Sequence, residues 1–276
     1  MSRSIHNEYL DHRFEISGEV KRVVSLVSSA TEYLGEMGLL DRVVGVSEYC
    51  DRYVDTSGME VVGQYVTADI ERIVQLEPDL LLMTTGIQRK LGLRMAKAGV
   101  PVYNLPLPVS FEGMLENVML LGGLMDEMGK ARQLVEWLRE RAAKLRAEQI
   151  FEQRPRVYVE LWLGRHMRAV GGLSYIRDLV EMAGGELVYG ERSQGYFVPE
   201  LDEVKRLNPD VYVFFHEPEY RVDGAALVRE RGWDESIPVV MSDVTMGENV
   251  IQDGPSMLDT VVWLREQMRI AKRGGI

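Results

Sequence analysis

Apolar positions along this chain alternate between short continuous runs and helical stripes, and the whole pattern occurs twice. The repeated segments, in chain order, are RVVSLV at 22–27 with RVYVEL at 156–161, IERIVQLEPDLLLM at 70–83 with LDEVKRLNPDVYVF at 201–214, and VPVYNL at 100–105 with IPVVMS at 237–242. Each match lies about half a chain from its partner. Alternating strand and helix patterns are typical of α/β domains with parallel sheets. The repeat therefore predicts two similar α/β lobes.

The apolar runs of the first lobe predict parallel strands at 23–27, 43–46, 80–83 and 102–105. These runs are continuous, which is typical of strands buried on both faces of a parallel sheet. Helical stripes between the runs therefore indicate helices on both sides. The second lobe repeats this design up to residues 238–242, and residues 256–269 predict a closing amphipathic helix.

Residues 130–149 predict a long helix between the two lobes. The apolar positions of this segment follow the spacing of one helical stripe, and they are Ala131, Leu134, Val135, Leu138, Ala142 and Leu145. At about 1.5 Å per residue the helix would be roughly 30 Å long, enough to lie across both lobes. An ordinary covering helix followed by a short linker is the alternative.

The predicted organisation has an N-terminal arm, two lobes and a connecting helix. The arm lacks a sustained period, and we expect it to be flexible or to pair with a sheet edge. The boundaries are 1–20 for the arm, 21–126 for the N-terminal lobe, 127–150 for the connecting helix and 151–276 for the C-terminal lobe with its closing helix. A cleft between two lobes is a common place for small-molecule sites.

Composition and charge exclude several classes of protein. The net charge of −11 argues against nucleic-acid binding, which needs clustered Lys and Arg on one face. No window approaches the roughly 18 apolar residues of a membrane span. A single cysteine, Cys50, excludes a disulfide within the chain and any multi-cysteine metal site.

Sequence motifs of common enzymes are missing. The chain contains neither GxGxxG nor GxxxxGK[ST], and it has no GxSxG elbow. We therefore expect no catalytic residues and no cofactor of the protein's own. Side-chain metal capture would need three or four converging ligands. His166, His216, Glu217 and Asp243 are the alternative set for such a site, but we expect no metal held by the protein itself.

Aromatic and polar residues follow the predicted strands of both lobes, where open α/β sheets place their ligands. Tyr and Trp offer broad, rigid surfaces with a polar tip, which suits a large, flat ligand. Ordinary loop packing is the alternative for each residue. The candidate ligand-binding residues are Ser29, Tyr49, Tyr65, Thr85 and Gln88 in the first lobe and Trp162, Arg165, Tyr196, Phe197, His216 and Met246 in the second.

Several motifs of the chain, taken in order, resemble the substrate-binding proteins of ABC importers that deliver cobalamin and ferric siderophores. The motifs are RVVSLVSSATEYLGEMGLLDRVVGVSEYCDRY, VVGQYVTADIERIVQLEPDLLLM and GVPVYNL, and the similarity spans about residues 21–269. The resemblance implies an α/β fold with two Rossmann-like lobes, parallel central sheets and one bridging helix. It also implies a monomeric, non-enzymatic protein that binds a metal chelate in the cleft and delivers it to a dimeric membrane permease.

The resemblance further assigns a docking role to acids at two repeated positions. Members of the family dock on their permease through a carboxylate on each lobe, which meets arginines of the membrane subunits. Here the positions are Glu71 in the first lobe and Asp202 in the second, with Glu203 beside it. An acid near a helix N-terminus is also explained by the helix macrodipole alone.

Ligand identity and location leave alternatives open. By resemblance to cobalamin-binding members of the family, the aromatic candidates and the YCD element that begins at Tyr49 favour cobalamin, whereas Arg89, Arg165 and Arg192 keep a ferric siderophore open. Haem is a further chelate, and Cys50 or His216 could ligate the metal of the ligand. A cytoplasmic corrinoid sensor or a metal-chelate enzyme is the alternative from another class.

Relatives in the resembled family work outside the cytoplasm, so the same location is expected here. The segment MSRSIHNEYLDHRFEISGEVKR, however, carries no apolar signal region. A cytoplasmic location is therefore the alternative.

Overall fold

The computed structural model describes residues 2–245 and 247–274, and the chain divides into two compact units. Unit 1 contains the chain through Leu107 together with Met114–Leu138. Unit 2 contains Pro108–Gly113 together with the chain from Arg139 onward. Along the described part of the chain, no helix is both long and apolar enough to cross a membrane.

Unit 1 is built around a parallel sheet. The strands of unit 1 are β1 (Ser2–Asn7), β2 (His12–Ser17), β3 (Val23–Ser25), β4 (Val43–Val46), β5 (Glu60–Val61), β6 (Leu80–Thr84) and β7 (Val102–Leu105). The helices up to the middle of the chain are α1 (Ser28–Glu36), α2 (Ile70–Gln75), α3 (Arg89–Lys97), α4 (Phe111–Met125) and α5 (Met128–Ala147). The central sheet has the order β5-β4-β3-β6-β7, with parallel neighbours throughout. The four strands predicted from apolar runs are confirmed as β3, β4, β6 and β7.

The N-terminal arm forms a hairpin on the edge of this sheet. Strands β1 and β2 pair antiparallel, and the buried Asn7 side chain donates to Val102 O at 2.9 Å, in edge strand β7. Leu10, in the hairpin turn, packs into the core of unit 1. A Cβ on Gly92 would lie 3.0 Å from Leu10 Cδ1, so the glycine in α3 makes room for this contact. The arm is therefore built into unit 1.

The helix predicted between the lobes is continuous from Met128 to Ala147. Its whole predicted apolar stripe is buried, and the boundary between the two units falls inside it, after Leu138. Helix α4 approaches α5 closely because Gly122 carries no side chain. A Cβ there would lie 2.4 Å from the Ala131 methyl.

Unit 2 contains a mixed sheet. Its strands are β8 (Arg156–Leu163), β9 (His166–Val170), β10 (Glu186–Leu187), β11 (Tyr196–Phe197), β12 (Val211–His216) and β13 (Val239–Asp243). Its helices are α6 (Tyr175–Met182), α7 (Leu201–Leu207), α8 (Gly224–Glu230) and α9 (Met257–Gly274). The parallel strands β8, β12 and β13 lie side by side, as β3, β6 and β7 do in unit 1. The sequence repeat and the predicted closing helix α9 are thereby confirmed.

The sheet of unit 2 differs from that of unit 1 beside its first strand. In unit 1 the parallel strand β4 lies next to β3, whereas in unit 2 the antiparallel strand β9 pairs with β8. The chain turns back at Gly164, whose φ of +63° suits glycine. Strand β11 then pairs antiparallel with β9. The sequence did not predict these strands, because neither is a continuous apolar run.

Candidate functional site

Three side chains lie next to one another where the parallel strands of unit 2 end. Trp162 of β8 pairs in register with His216 of β12, and His216 pairs with Asp243 of β13. Side chains on one sheet face recur every second residue, and in-register neighbours share a face. The predicted site residues Trp162 and His216 are therefore brought together at the carboxyl edge of this sheet.

The imidazole of His216 is held at both nitrogens. Its Nε2 lies 3.1 Å from Asp243 Oδ1, and its Nδ1 lies 3.1 Å from Glu217 O. Each ring nitrogen therefore faces an oxygen atom of the protein. A metal ligand needs a nitrogen with a free lone pair. Ligation of a chelated metal by His216 would therefore require its contacts to break.

A concave surface that bounds a volume of about 400 Å³ lies beside His216. Its lining consists of His216, Arg221, Val222, Asp223, Gly224, Ala225, Val239 and Met241. Arg221 is exposed and its Nη2 lies 3.5 Å from Asp243 Oδ2. The surface combines apolar walls with a charged rim, which is the usual make-up of a small-molecule pocket.

Trp162 is partly exposed, and its indole is anchored from below. Its Nε1 donates to Glu160 Oε1 at 2.8 Å. Glu160 is fully buried and accepts two further hydrogen bonds from Arg231, each of 2.9 Å. The Trp162 ring at the sheet edge is therefore hydrogen-bonded to a buried ion pair.

Arg165 lies at the tip of the β8–β9 hairpin. Its side chain is exposed, and the structure gives it no ion pair along the residues it describes. The other two arginines considered for an anionic chelate contact groups of their own units. Arg192 pairs with Glu203 at 2.9 Å, and the guanidinium carbon of Arg89 lies 5.7 Å from the centre of the Tyr9 ring.

The sequence pattern predicted that Tyr196 and Phe197 follow a parallel strand, but they do not. They form edge strand β11, which pairs with β9. The Arg192 guanidinium carbon lies 4.0 Å from the centre of the buried Phe197 ring. Ser174 Oγ donates to Tyr196 Oη at 3.1 Å, and burial raises the pKa of the Tyr196 hydroxyl. The placement was wrong because SQGYFVPEL contains too short an apolar run to show that it pairs at a sheet edge.

In unit 1, Gln88 holds the ends of two strands together. Its fully buried amide accepts from Thr84 N at 2.6 Å and donates to Leu26 O at 3.2 Å and Tyr65 O at 2.5 Å. The structure thus brings Tyr65 and Gln88 together. The three hydrogen bonds of the Gln88 amide join it to backbone groups of unit 1. Thr85 Oγ1 accepts from Leu107 N at 3.0 Å.

The remaining candidates of unit 1 follow β3 and β4. Ser29 is buried in α1, whereas Tyr49 is partly exposed and lies 4.9 Å below the Arg52 guanidinium carbon. Cys50 is fully buried, 3.2 Å from Thr31 Oγ1, and burial raises the pKa of its thiol. The thiol is therefore a packed group without access to a ligand. Met246 lies outside the described residues.

The acids predicted to dock a permease all lie in the first turn of a helix. Glu71 in α2 and Asp202 in α7 are exposed. Glu203 is half-buried, accepts from Tyr189 Oη at 3.0 Å and pairs with Arg192. Of these two acids of α7, Asp202 is therefore the exposed one.

Among residues 2–245 and 247–274, no three His, Cys, Asp or Glu side chains converge as a metal site would require. Glu217, one of the alternative ligands, accepts from Gly164 N at 2.9 Å. This hydrogen bond holds the turn between β8 and β9, so the Glu217 carboxylate already accepts from a backbone N–H group.

A protein-family model described as "Periplasmic binding protein" matches residues 23–238 of this chain. The chain belongs to the periplasmic binding protein family. The resemblance found in the sequence motifs is thereby confirmed. The family match begins after the N-terminal hairpin, so the hairpin lies outside the matched region.

Two proteins with curated names are similar to this chain. A cobalamin-binding protein of Halobacterium salinarum is 30% identical over 206 residues, which are 72% of this chain and 54% of the relative. The chain thus spans about half the length of that relative. A vitamin B12-binding protein of Vibrio parahaemolyticus is 24% identical over 258 residues, which are 92% of this chain and 91% of the relative.

A solved structure supports the two-lobed α/β fold. The crystal structure of an S. aureus protein complexed with haem superposes with a TM-score of 0.75 at 19% identity, covering 91% of this chain and 99% of that chain. At this identity the likeness supports the fold alone. The predicted fold class is confirmed.

Sequence reasoning missed the partners that hold the candidate residues. Glu160 was not considered, although the alternation in RVYVELW places it on the same strand face as Trp162. A carboxylate inside an otherwise apolar strand is a signal of a buried polar contact. Arg231 offered no comparable signal, because it lies 71 residues further along the chain.

Proposed function

We propose that this periplasmic binding protein binds a large metal chelate, with cobalamin or another corrinoid favoured, and delivers it to an ABC importer. The family match over residues 23–238 carries the proposal. The relatives from Halobacterium salinarum and Vibrio parahaemolyticus are named for cobalamin and vitamin B12, which supports a corrinoid. That one ligand touches both lobes remains a prediction from the sequence.

The carboxyl edge of unit 2 supports a broad, partly apolar ligand. Trp162 is partly exposed and lies beside His216, and the concave surface that His216 lines has apolar walls. Such a surface suits the face and the amide-bearing rim of a corrinoid, because aromatic rings bury apolar area while nearby polar groups accept and donate hydrogen bonds.

A ferric siderophore or haem is the second candidate ligand, favoured by the exposed Arg165. An anionic chelate is best held by several arginines whose donors face the ligand. Arg192 does not support this candidate, since it pairs with Glu203 and stacks on Phe197. The engagement of Arg192 therefore weakens this candidate relative to the corrinoid.

The proposal includes three further elements. The protein turns over no substrate and uses no cofactor of its own, since its ligand is cargo. It works outside the cytoplasm as a monomer. It docks on a dimeric permease through Glu71 and Asp202, which is supported by the solvent exposure of both carboxylates.

Calorimetric titration of the protein with cobalamin, a ferric hydroxamate siderophore and haem, run in parallel, tests the proposal. We expect submicromolar binding of cobalamin, with the ligand recovered unchanged. Trp162→Ala should weaken that binding, whereas Trp137→Ala, which removes an exposed tryptophan of α5, should leave it unchanged. Tight binding of haem or the siderophore alone would identify the second candidate, and chemical conversion of the ligand would identify an enzyme.

A further inference from the structure

A network of buried polar groups lies directly beneath Trp162 in unit 2. Glu160 has no solvent exposure. Its carboxylate accepts from the Trp162 indole N–H, the Tyr158 hydroxyl and both terminal nitrogens of Arg231. A carboxylate offers about four lone-pair sites. Four donors therefore satisfy it completely, and the indole N–H is one of them.

The network has little freedom to rearrange. The Arg231 guanidinium carbon lies 4.8 Å from the centre of the Trp233 ring and 5.9 Å from that of Phe214. Tyr158 packs edge-on against Trp233, with ring centres 5.3 Å apart. Close-packed interiors resist shifts of their side chains. The donors that hold the Glu160 carboxylate are thus themselves packed against aromatic rings.

An ion pair at this depth is not explained by stability alone. Removing two charges from water costs several kcal/mol per ion, and well-packed apolar replacements are often neutral or stabilising. Orienting a neighbouring group is a role that does not depend on a net gain in stability. Trp162 is the member of this network that reaches the surface, at the sheet edge beside His216.

We propose that Glu160, paired with Arg231, is a positioning residue that fixes the orientation of the Trp162 indole toward the ligand. The proposal rests on the proposed function, in which Trp162 contacts the chelate. Glu160 itself is buried and does not touch the ligand. It determines which edge of the indole points inward, so the ring presents one face and one edge to the site before the ligand arrives.

The double variant Glu160→Met with Arg231→Met tests this role by replacing both charges with apolar side chains. The matched control is Arg229→Met with Glu235→Met, which removes an exposed ion pair beside the same helix, α8. The Trp162 indole N–H resonance, assigned by its loss in Trp162→Phe, is followed by NMR without ligand. We expect this N–H to shift and to exchange with solvent faster in the double variant only.

Affinity for cobalamin gives the second measurement. The double variant should bind about tenfold more weakly, whereas the control pair should not. In the Trp162→Phe background the same double change should cause no further loss, because the group that it orients is absent. An equal loss in both backgrounds, or an indole N–H that stays protected, would overturn the proposal.

Two further arms keep the outcomes distinct. If the double variant fails to fold, Glu160→Gln replaces it, since the amide keeps the shape but turns a donor toward Arg231 or Trp162. If wild-type protein binds none of the three chelates, the proposed function fails. The NMR measurement then still decides whether Glu160 holds Trp162.

Discussion

His216 Nε2 lies 3.1 Å from Asp243 Oδ1, at the ends of neighbouring parallel strands. His216 is 6% exposed, so its ring is held by protein groups more than by water. The pair lies beside Trp162 and gives the proposed site a polar anchor next to its aromatic surface.

Asp243→Asn should lower the free energy of unfolding by about 1 kcal/mol, because it weakens a hydrogen bond to a nearly buried imidazole. Chemical denaturation near neutral pH measures the change. Asp259→Asn is the control, since Asp259 pairs with Arg141 at the surface and exposed pairs contribute about 0–1 kcal/mol. Equal effects of the two substitutions would contradict a special role for the His216 contact.

Reversing the charge at Glu71 and Asp202 together, each to Lys, should abolish ligand uptake through the importer. Affinity for the ligand should be unchanged, because both carboxylates face solvent in the first turns of α2 and α7. Uptake of labelled ligand and calorimetry measure the two quantities. The same reversal at the exposed acids Glu140 and Glu152 should leave uptake intact. A large loss of affinity would rule out a pure docking role.

Tyr9→Phe should loosen the loop after β6. The Tyr9 hydroxyl accepts from Gly86 N at 2.8 Å and lies 3.2 Å from Gly86 O, so the N-terminal hairpin holds a loop with two candidate ligand residues, Thr85 and Gln88. Hydrogen exchange of the amides at 85–88 should accelerate, since local opening costs less without this contact. Tyr220→Phe, at an exposed position of unit 2, is the control. Unchanged exchange in Tyr9→Phe would show that the loop is held by other contacts.

Gly224→Ala should destabilise the protein by about 1–3 kcal/mol through overpacking. A Cβ there would lie 2.4 Å from Met241 Sδ and 3.0 Å from Phe214 Cδ2, where α8 packs on the sheet. Gly129→Ala in α5 is the matched control, because a Cβ at that position meets nothing within 4 Å and alanine favours helix. Thermal unfolding compares the two. Similar melting temperatures would mean that α8 shifts without cost.

Native protein should resist thiol reagents until it unfolds, because Cys50 is fully buried and burial raises the pKa of its thiol. The folded state then holds this proton more tightly than the unfolded state. The contribution of the thiol to the free energy of unfolding is fully present below the pKa that the thiol has in the unfolded chain, about 8.5. It is lost as the pH rises toward the pKa of the thiol in the folded state. Denaturation of wild type and Cys50→Ala between about pH 8 and 10 measures the difference. A wild type whose stability falls no faster than that of the variant would contradict the buried thiol.

Elements with a strong local pattern were predictable from the sequence. The continuous apolar runs of β3, β6 and β7 and their repeat in unit 2 indicated both sheets, because burial on two faces leaves a signature in neighbouring residues. The stripe of α5 was predictable for the same reason, since a helix in contact with other elements repeats its apolar positions.

The candidate site was predictable only as a set of residue types near strand ends. Trp162 and His216 were identified, and the strand register places them together. Gln88 was identified as well, yet its amide is used on backbone groups of its own unit. An amide that faces a ligand and one that ties strands together have the same sequence signal, because hydrogen-bond partners are not local.

By itself the sequence determined the duplicated α/β plan, the helix between the halves and the family, because these depend on periodic burial and on ordered motifs. Tertiary structure alone decided that Arg231 reaches Glu160, that Tyr9 holds Gly86 and that Phe197 pairs at a sheet edge. Each of these contacts joins residues far apart in the chain or depends on which strand a short segment pairs with. No local pattern records them, since their free energy arises only when the folded core brings the partners together.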